Sequence, residues 1–115
     1  MAKQTPVEAI CRLPASFYAG KKPFTQLVRE SGITDPASGA TAGALASVLR
    51  ADPALINGWL LWSQNKRVSS GWYFERDGEG CTVSYFPKGK RLRFDDVALG
   101  CAEFILLEVG LTHAL

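Results

Sequence analysis

Three cysteines and one histidine are the residues of this chain that could perform covalent chemistry. Cys11, Cys81 and Cys101 are far apart, form no CxxC pair and stand among apolar neighbours, while His113 lies in the segment 111–115. A nucleophilic site needs a base beside the nucleophile and a third group that orients the base. Apolar surroundings favour buried reduced thiols instead, and a histidine in such a tail is expected to fray. We therefore predict no Cys–His or Ser–His site.

Acidic residues cluster at two places, and neither has the pattern of a catalytic or metal site. Glu75, Asp77 and Glu79 surround a predicted hairpin turn and lack the ligand spacing of a calcium loop. Asp95 and Asp96 are adjacent, and Asp95 is explained as the N-cap of a helix. The phosphate-binding patterns GxGxxG and GxxxxGK followed by Ser or Thr are absent from the sequence. The chain is therefore expected to be no enzyme and to hold no cofactor and no metal ion.

Nucleic-acid binding has more support, because four basic residues lie within six positions of the second predicted hairpin (Lys88, Lys90, Arg91 and Arg93) and two more, Lys66 and Arg67, lie at the entry to the sheet. Three helices followed by a hairpin could form a winged helix, with residues 53–65 as the recognition helix. That segment is rich in Leu, Ile and Trp, whereas a helix that reads a DNA groove exposes polar side chains. A winged-helix DNA-binding regulator is therefore kept as the alternative. A solvated basic edge that prevents strand pairing explains the same residues.

Length and composition are those of an ordinary globular protein. The 115 residues are 47% apolar and 21% charged, which suits a single domain over 1–115. No apolar run approaches the ~20 residues that cross a bilayer, and the N-terminal residues lack the apolar segment of a secretory signal. We therefore expect no membrane association and a cytoplasmic location.

The segment 69–107 is predicted to organise the fold. Residues 69–74, 81–86 and 91–94 alternate between apolar and polar side chains, and turn sequences lie at 77–80 and 87–90. This pattern predicts a three-stranded antiparallel meander with one face towards the core and the other amphipathic. The helix that follows, capped by Asp95, is so apolar that it must be deeply buried or form an interface.

Four helices are predicted before the sheet, from capping and proline signals. The predicted order is a helix from Thr5 that stops before Pro14, a loop over 15–22, a helix from Pro23 to Gly32, a linker over 33–39, a helix from Thr41 to Arg50 and a helix that starts at Asp52-Pro53 and lies against the meander. The predicted fold class is therefore α+β: N-terminal helices, a three-stranded antiparallel meander and a C-terminal helix packed on the sheet.

A protein-binding module fits this fold, because the hairpins combine aromatic side chains with charges of both signs. Residues 62–94 carry seven basic and three acidic groups, and residues 95–115 carry four acidic groups and no Lys or Arg. Such polarity can steer a protein partner. Trp72 and Tyr85 are further possible anchors, unless they are core residues. The residues predicted to bind a partner are Tyr73, Glu75, Arg76, Asp77, Glu79, Lys88, Lys90, Arg91 and Arg93.

Three stretches of the second half of the chain resemble small bacterial immunity proteins, including those of contact-dependent growth inhibition systems. They are Ser70-Gly71-Trp72-Tyr73-Phe74, Val83-Ser84-Tyr85-Phe86, and Phe94-Asp95-Asp96 leading into Cys101-Ala102-Glu103-Phe104-Ile105. The resemblance implies a cytoplasmic protein that binds one cognate toxin domain as a heterodimer and blocks its active site or its folding. It brings no catalytic residues.

Net charge sets this chain apart from many immunity proteins that act on nucleases. Those proteins are often acidic, whereas this chain has a net charge of +2. Three explanations are open: a toxin that is no typical nuclease, a local acidic patch at Glu75, Asp77 and Glu79, or binding through the last helix with Glu103 and Glu108.

Overall fold

The predicted α+β arrangement is confirmed by a computed structural model, which describes residues 5–20, 22–35, 38–65, 71–86 and 89–110. These residues form six helices and three strands in the order α1 (Pro6–Cys11), α2 (Leu13–Ala19), α3 (Phe24–Ser31), α4 (Ala42–Ala51), α5 (Ala54–Asn65), β1 (Gly71–Asp77), β2 (Gly80–Phe86), β3 (Lys90–Phe94) and α6 (Val97–Glu108). The strands form one antiparallel meander of order β1-β2-β3, and α6 packs against all three of them.

The capping signals of the N-terminal helices are confirmed. Thr5 Oγ1 accepts a hydrogen bond from the Glu8 N–H at 3.1 Å, and the Glu8 carboxylate accepts one from the Thr5 N–H at 2.9 Å. These hydrogen bonds to Thr5 hold the pKa of Glu8 below its ordinary value. Helix α3 ends at Gly32, whose φ of 79° lies in the left-handed region that glycine adopts without strain. Helix α4 begins after Thr41, which accepts from the Ala44 N–H.

The prediction of a loop over 15–22 is wrong for residues 15–19. Residues Leu13–Ala19 form the additional helix α2, so five helices precede the sheet instead of four. Pro14 lies in the first turn of α2, where a proline removes no helical hydrogen bond and therefore does not interrupt the helix. Leu13 and Pro14 are buried, so α2 is fixed by its packing.

Helix α5 lies against the meander, as predicted. It begins at Ala54, directly after the Asp52-Pro53 start signal. Trp59 is fully buried and donates its indole N–H to the carbonyl of Cys11 at 3.0 Å. One turn later Ser63 Oγ accepts a hydrogen bond from the backbone N–H of Phe74 at 2.8 Å, which joins α5 to β1.

Asp95 was predicted to cap the last helix, and this is wrong by one residue. Asp96 is the N-cap of α6: its carboxylate accepts from the Ala98 N–H at 3.0 Å and from the Leu99 N–H at 3.4 Å. The Arg50 guanidinium also donates to this carboxylate, and that bond is the main reason why the pKa of Asp96 lies below its ordinary value. Asp96 therefore joins the start of α6 to the end of α4.

Helix α6 is the centre of the core. Of the two expectations for so apolar a helix, deep burial or an interface, the structure confirms deep burial. Most of its residues are buried, and it packs against α4, α5 and the sheet. The Phe104 ring stacks on Phe74 with ring centroids 5.6 Å apart and meets Trp59 edge-on at 6.0 Å. A Cβ added at Gly100 would lie 2.1 Å from Cys81 Sγ, so the glycine allows α6 to approach the sheet closely.

Candidate functional site

The three cysteines are buried free thiols, as predicted. Burial raises the pKa of Cys11 to about 12 and that of Cys81 to about 11, and it raises the pKa of Cys101 well above its ordinary value. Only the thiolate is a strong nucleophile, so these thiols are unreactive near neutral pH. Within the described ranges, no three His, Cys, Asp or Glu side chains are grouped so that they could hold a metal ion. His113 lies outside the described residues.

The two faces of the sheet differ, and the strand register defines them. Tyr73 pairs with Ser84 and Ser84 with Arg91, and because side chains alternate along a strand, these three point to the same side. We call this side the outer face, and its residues are Gly71, Tyr73, Glu75, Asp77, Gly80, Thr82, Ser84, Phe86, Arg91 and Arg93. Gly80, which has no side chain, is buried, and none of the side chains of this face is buried. The inner face carries Trp72, Phe74, Cys81, Val83, Tyr85, Leu92 and Phe94 and packs on α6.

An aromatic pair occupies one end of the outer face. The rings of Tyr73 and Phe86 meet edge-on with centroids 6.5 Å apart, and together with Glu75 and Ser84 they line a shallow cleft of about 340 Å³. Phe86 is 55% exposed, because its cross-strand neighbour is Gly71, which has no side chain to cover it. A half-exposed aromatic beside a cleft is typical of an interface anchor.

Arg93 and Asp77 form a clamp at the other end of the outer face. Arg93 Nη2 lies 3.0 Å from Asp77 Oδ1, and Arg93 Nη1 donates to the carbonyls of Cys81 and Phe94. The guanidinium lies over Gly80, where an added Cβ would stand 2.0 Å from Nη1. Both residues were predicted to bind a partner, but in the structure their side chains form an ion pair with each other.

Glu75 and Arg91 are the outer-face charges that stay available to a partner. Both side chains are exposed, and neither forms an ion pair or a side-chain hydrogen bond with any of the described residues. They lie on the two edge strands β1 and β3, with the uncharged residues of β2 between them. The face therefore has a negative edge and a positive edge.

A groove runs along the edge of β1 that faces away from β2, where this strand meets α5. It has a volume of about 530 Å³, and its lining residues are Leu60, Ser63, Gln64, Tyr73, Phe74, Glu75 and Arg76. Because the Phe74 N–H is bonded to Ser63 at 2.8 Å, this part of the strand edge is already occupied and cannot pair with another strand. Tyr73 and Glu75 border both the groove and the cleft.

The other residues predicted to bind a partner lie off the outer face or outside the description. Arg76 is exposed but belongs to the opposite side of the strand, and Glu79 is exposed in the turn between β1 and β2. Lys88 and the side chain of Lys90 are outside the described residues.

Sequence reasoning missed Phe86, and beside Tyr73 it named Trp72 and Tyr85 as further possible anchors. The Tyr85 ring meets Trp72 on the inner face instead, with centroids 5.0 Å apart. The alternation of Thr82, Ser84 and Phe86 on one side of β2 was the signal that could have found Phe86.

Comparison of the chain with protein-family models, with curated proteins and with solved structures found no match. Among the described helices, none has both the length and the apolar composition needed to cross a bilayer.

Proposed function

We propose that this chain is a non-enzymatic protein-binding module in the cytoplasm, specifically an immunity protein that binds and neutralises a cognate toxin domain. One observation carries the proposal: the outer face holds an aromatic pair and two available charges of opposite sign, and none of its side chains is buried. The solvated face of an antiparallel sheet is commonly polar, so the aromatic pair supports a binding role for this face. The resemblance of residues 70–105 to immunity proteins supports the choice of a toxin as the partner.

The face would neutralise a toxin by covering its surface. Tyr73 and Phe86 supply the apolar centre, where aromatic side chains contribute most of the binding energy. Glu75 and Arg91 set the orientation of the partner by charge. Arg93 and Asp77 already neutralise each other, so they shape the face and contribute little attraction.

Acidic groups for a basic toxin cleft are found on the hairpin. Glu108, one of the helix residues considered for this role, accepts a hydrogen bond from the indole N–H of Trp62 at 2.8 Å and is partly buried. Glu75 and Glu79 are exposed. Glu103, the other helix residue considered for this role, is partly buried as well, so we propose Glu75 on β1 and Glu79 in the following turn as the acidic patch for such a cleft.

Co-purification with the product of the adjacent gene tests the proposal. The chain should form a tight one-to-one complex with that product, measured by size exclusion with light scattering. Phe86→Arg should abolish the complex, because it places a charge in the apolar centre of the outer face. Leu61→Arg is the matched control, since Leu61 is 48% exposed but lies on α5. Free monomer in the presence of that partner would refute the proposal.

The salt dependence of the affinity for duplex DNA distinguishes the winged-helix alternative from this proposal. The segment 54–65 that would read DNA contains no Arg or Lys, and its exposed side chains include Asn57, Leu61 and Gln64. Duplex DNA should be titrated at two salt concentrations, because binding through phosphates weakens steeply with salt. Tight binding with a steep salt slope would favour the DNA-binding regulator over the immunity protein.

A further inference from the structure

The charges of the outer face are segregated by strand. Its β1 column contains Glu75 and, at the turn, Asp77, and no basic residue. Its β3 column contains Arg91 and Arg93, and no acidic residue. Strand β2 lies between them and presents only uncharged side chains on this side. The face is therefore divided along its length into an acidic half and a basic half.

This division makes the face complementary to itself. Two copies that meet face to face about a two-fold axis along β2 bring β1 of each copy over β3 of the other, and β2 over β2. Every charge pair in such an interface then occurs twice. We propose that the outer face binds a second copy of this chain and forms a symmetric homodimer.

The strand register identifies the contacts. Tyr73 shares a row of the sheet with Arg91, and Glu75 shares the next row with Arg93. Since Arg93 is already bonded to Asp77 in its own chain at 3.0 Å, Arg91 is the cation left for Glu75 of the second copy. The flexible Arg91 side chain spans the single row between them. Phe86 lies on β2, so the two Phe86 rings meet close to the axis.

The size of the face makes this dimer weak. The strands have seven, seven and five residues, and at ~4.8 Å between strands and ~3.4 Å per residue they cover only a few hundred Å². A standard interface buries about 800 Å² on each partner. The dimer should therefore dissociate on dilution and yield to a tighter partner. The homodimer does not depend on the proposed function. Only its competition with a toxin for this face rests on that function.

Charge reversal tests the homodimer without any knowledge of a toxin. Sedimentation equilibrium of the full chain should show a monomer–dimer equilibrium. Glu75→Arg alone and Arg91→Glu alone should each weaken self-association at least tenfold, because each places like charges opposite one another. An equimolar mixture of these two variants should form a heterodimer, because the first face is now basic at both edges and the second acidic at both edges.

A matched pair of variants controls for net charge. Glu79→Arg and Arg76→Glu change the net charge by the same amounts but lie off the outer face, so they should leave self-association unchanged, alone and mixed. Circular dichroism should show that all four variants are folded, as expected for exposed positions. If a variant does not fold, Phe86→Arg in the wild-type background replaces it and should weaken the dimer.

Three results would overturn the homodimer: a wild-type chain that stays monomeric up to millimolar concentration, single variants that dimerise as well as the wild type, or control mixtures that associate as strongly as the test mixture. Failure of the homodimer leaves the proposed function standing, because toxin binding is measured separately with the adjacent gene product. Failure of toxin binding likewise leaves the homodimer standing.

Discussion

The two faces of one small sheet have opposite relations to the rest of the molecule. On the inner face Phe74, Cys81 and Val83 are at most 1% exposed beneath α6. On the outer face no side chain is buried, and Phe86 is 55% exposed. Both faces are built from the same three strands, so the difference comes from side-chain alternation alone. Stability is therefore concentrated on one side of the sheet, which leaves the other side free for recognition.

Each face should respond to substitution in its own way. Changes on the inner face, or at the start of α6, should lower the free energy of unfolding. Changes on the outer face should alter association and leave stability almost unchanged. Four comparisons between matched residues test this distinction.

The largest difference is expected between two phenylalanines on opposite sides of the sheet. Phe104→Ala empties the space between Phe74 and Trp59 and should cost about 3–5 kcal/mol of unfolding free energy. Phe86→Ala on the outer face should stay within about 0.5 kcal/mol of the wild type. Urea denaturation followed by tryptophan fluorescence measures both values. Similar losses for the two variants would show that the outer face also supports the fold.

The next effect concerns the close approach of α6 to the sheet. Gly100→Ala places a methyl group against Cys81 Sγ, and such overpacking should cost about 1–3 kcal/mol. Adding Cys81→Ala to the same chain should recover part of this loss, because the clashing sulfur is removed. Gly43→Ala is the control: its added Cβ would meet nothing within 4 Å, so in helix α4 it should stabilise by about 0.5–1 kcal/mol.

The cap of α6 gives a smaller, pH-dependent effect. Asp96→Ala should cost about 0.5–2 kcal/mol, as for the loss of other N-caps, while Asp95→Ala next to it should cost little. Because the pKa of Asp96 is lowered in the folded state, its contribution is present above the unfolded-state pKa and is lost as pH falls through the folded-state pKa. The difference between wild type and Asp96→Ala should therefore shrink in acid. Equal losses for both aspartates would contradict the assigned cap.

The clamp on the outer face should give the smallest effect. Arg93 and Asp77 are about half exposed, and exposed ion pairs contribute about 0.2–1 kcal/mol. Arg93→Ala should thus cost no more than this, and the loss should fall as salt is added. Arg91→Ala, which removes a charge from the same strand that forms no ion pair with any described residue, should leave thermal stability unchanged. A larger loss for Arg91→Ala would show that its side chain has a structural role.

The fold was predictable where local chemistry decides it. Side-chain alternation gave the meander and its two faces, and the capping box at Thr5 and the glycine at position 32 gave helix ends. The cap at Asp96 could not be distinguished from Asp95 by sequence, because the choice depends on Arg50 at the end of α4. Helix α2 was missed because Pro14 was taken as a breaker, although in a first turn it is tolerated.

The candidate site was less predictable, because it depends on which residues meet across strands. Their charge and their place on the hairpins put Arg93 and Asp77 among the predicted partner-binding residues, but the structure brings them within 3.0 Å of each other, with the guanidinium lying over Gly80. Tyr73 was predicted as an anchor but its aromatic partner Phe86 was not, and the groove at Ser63 depends on how α5 packs on β1. Sequence patterns define which side of a strand a residue occupies, but they do not define its cross-strand partners.

Calorimetric titration of the adjacent gene product with the wild type and with Phe86→Ala, together with the unfolding free energy of each, tests the central claim most directly. The account predicts that Phe86→Ala lowers the affinity by at least tenfold while the unfolding free energy stays the same. Unchanged affinity, or a loss of affinity accompanied by an equal loss of stability, would contradict the claim that the outer face serves recognition alone.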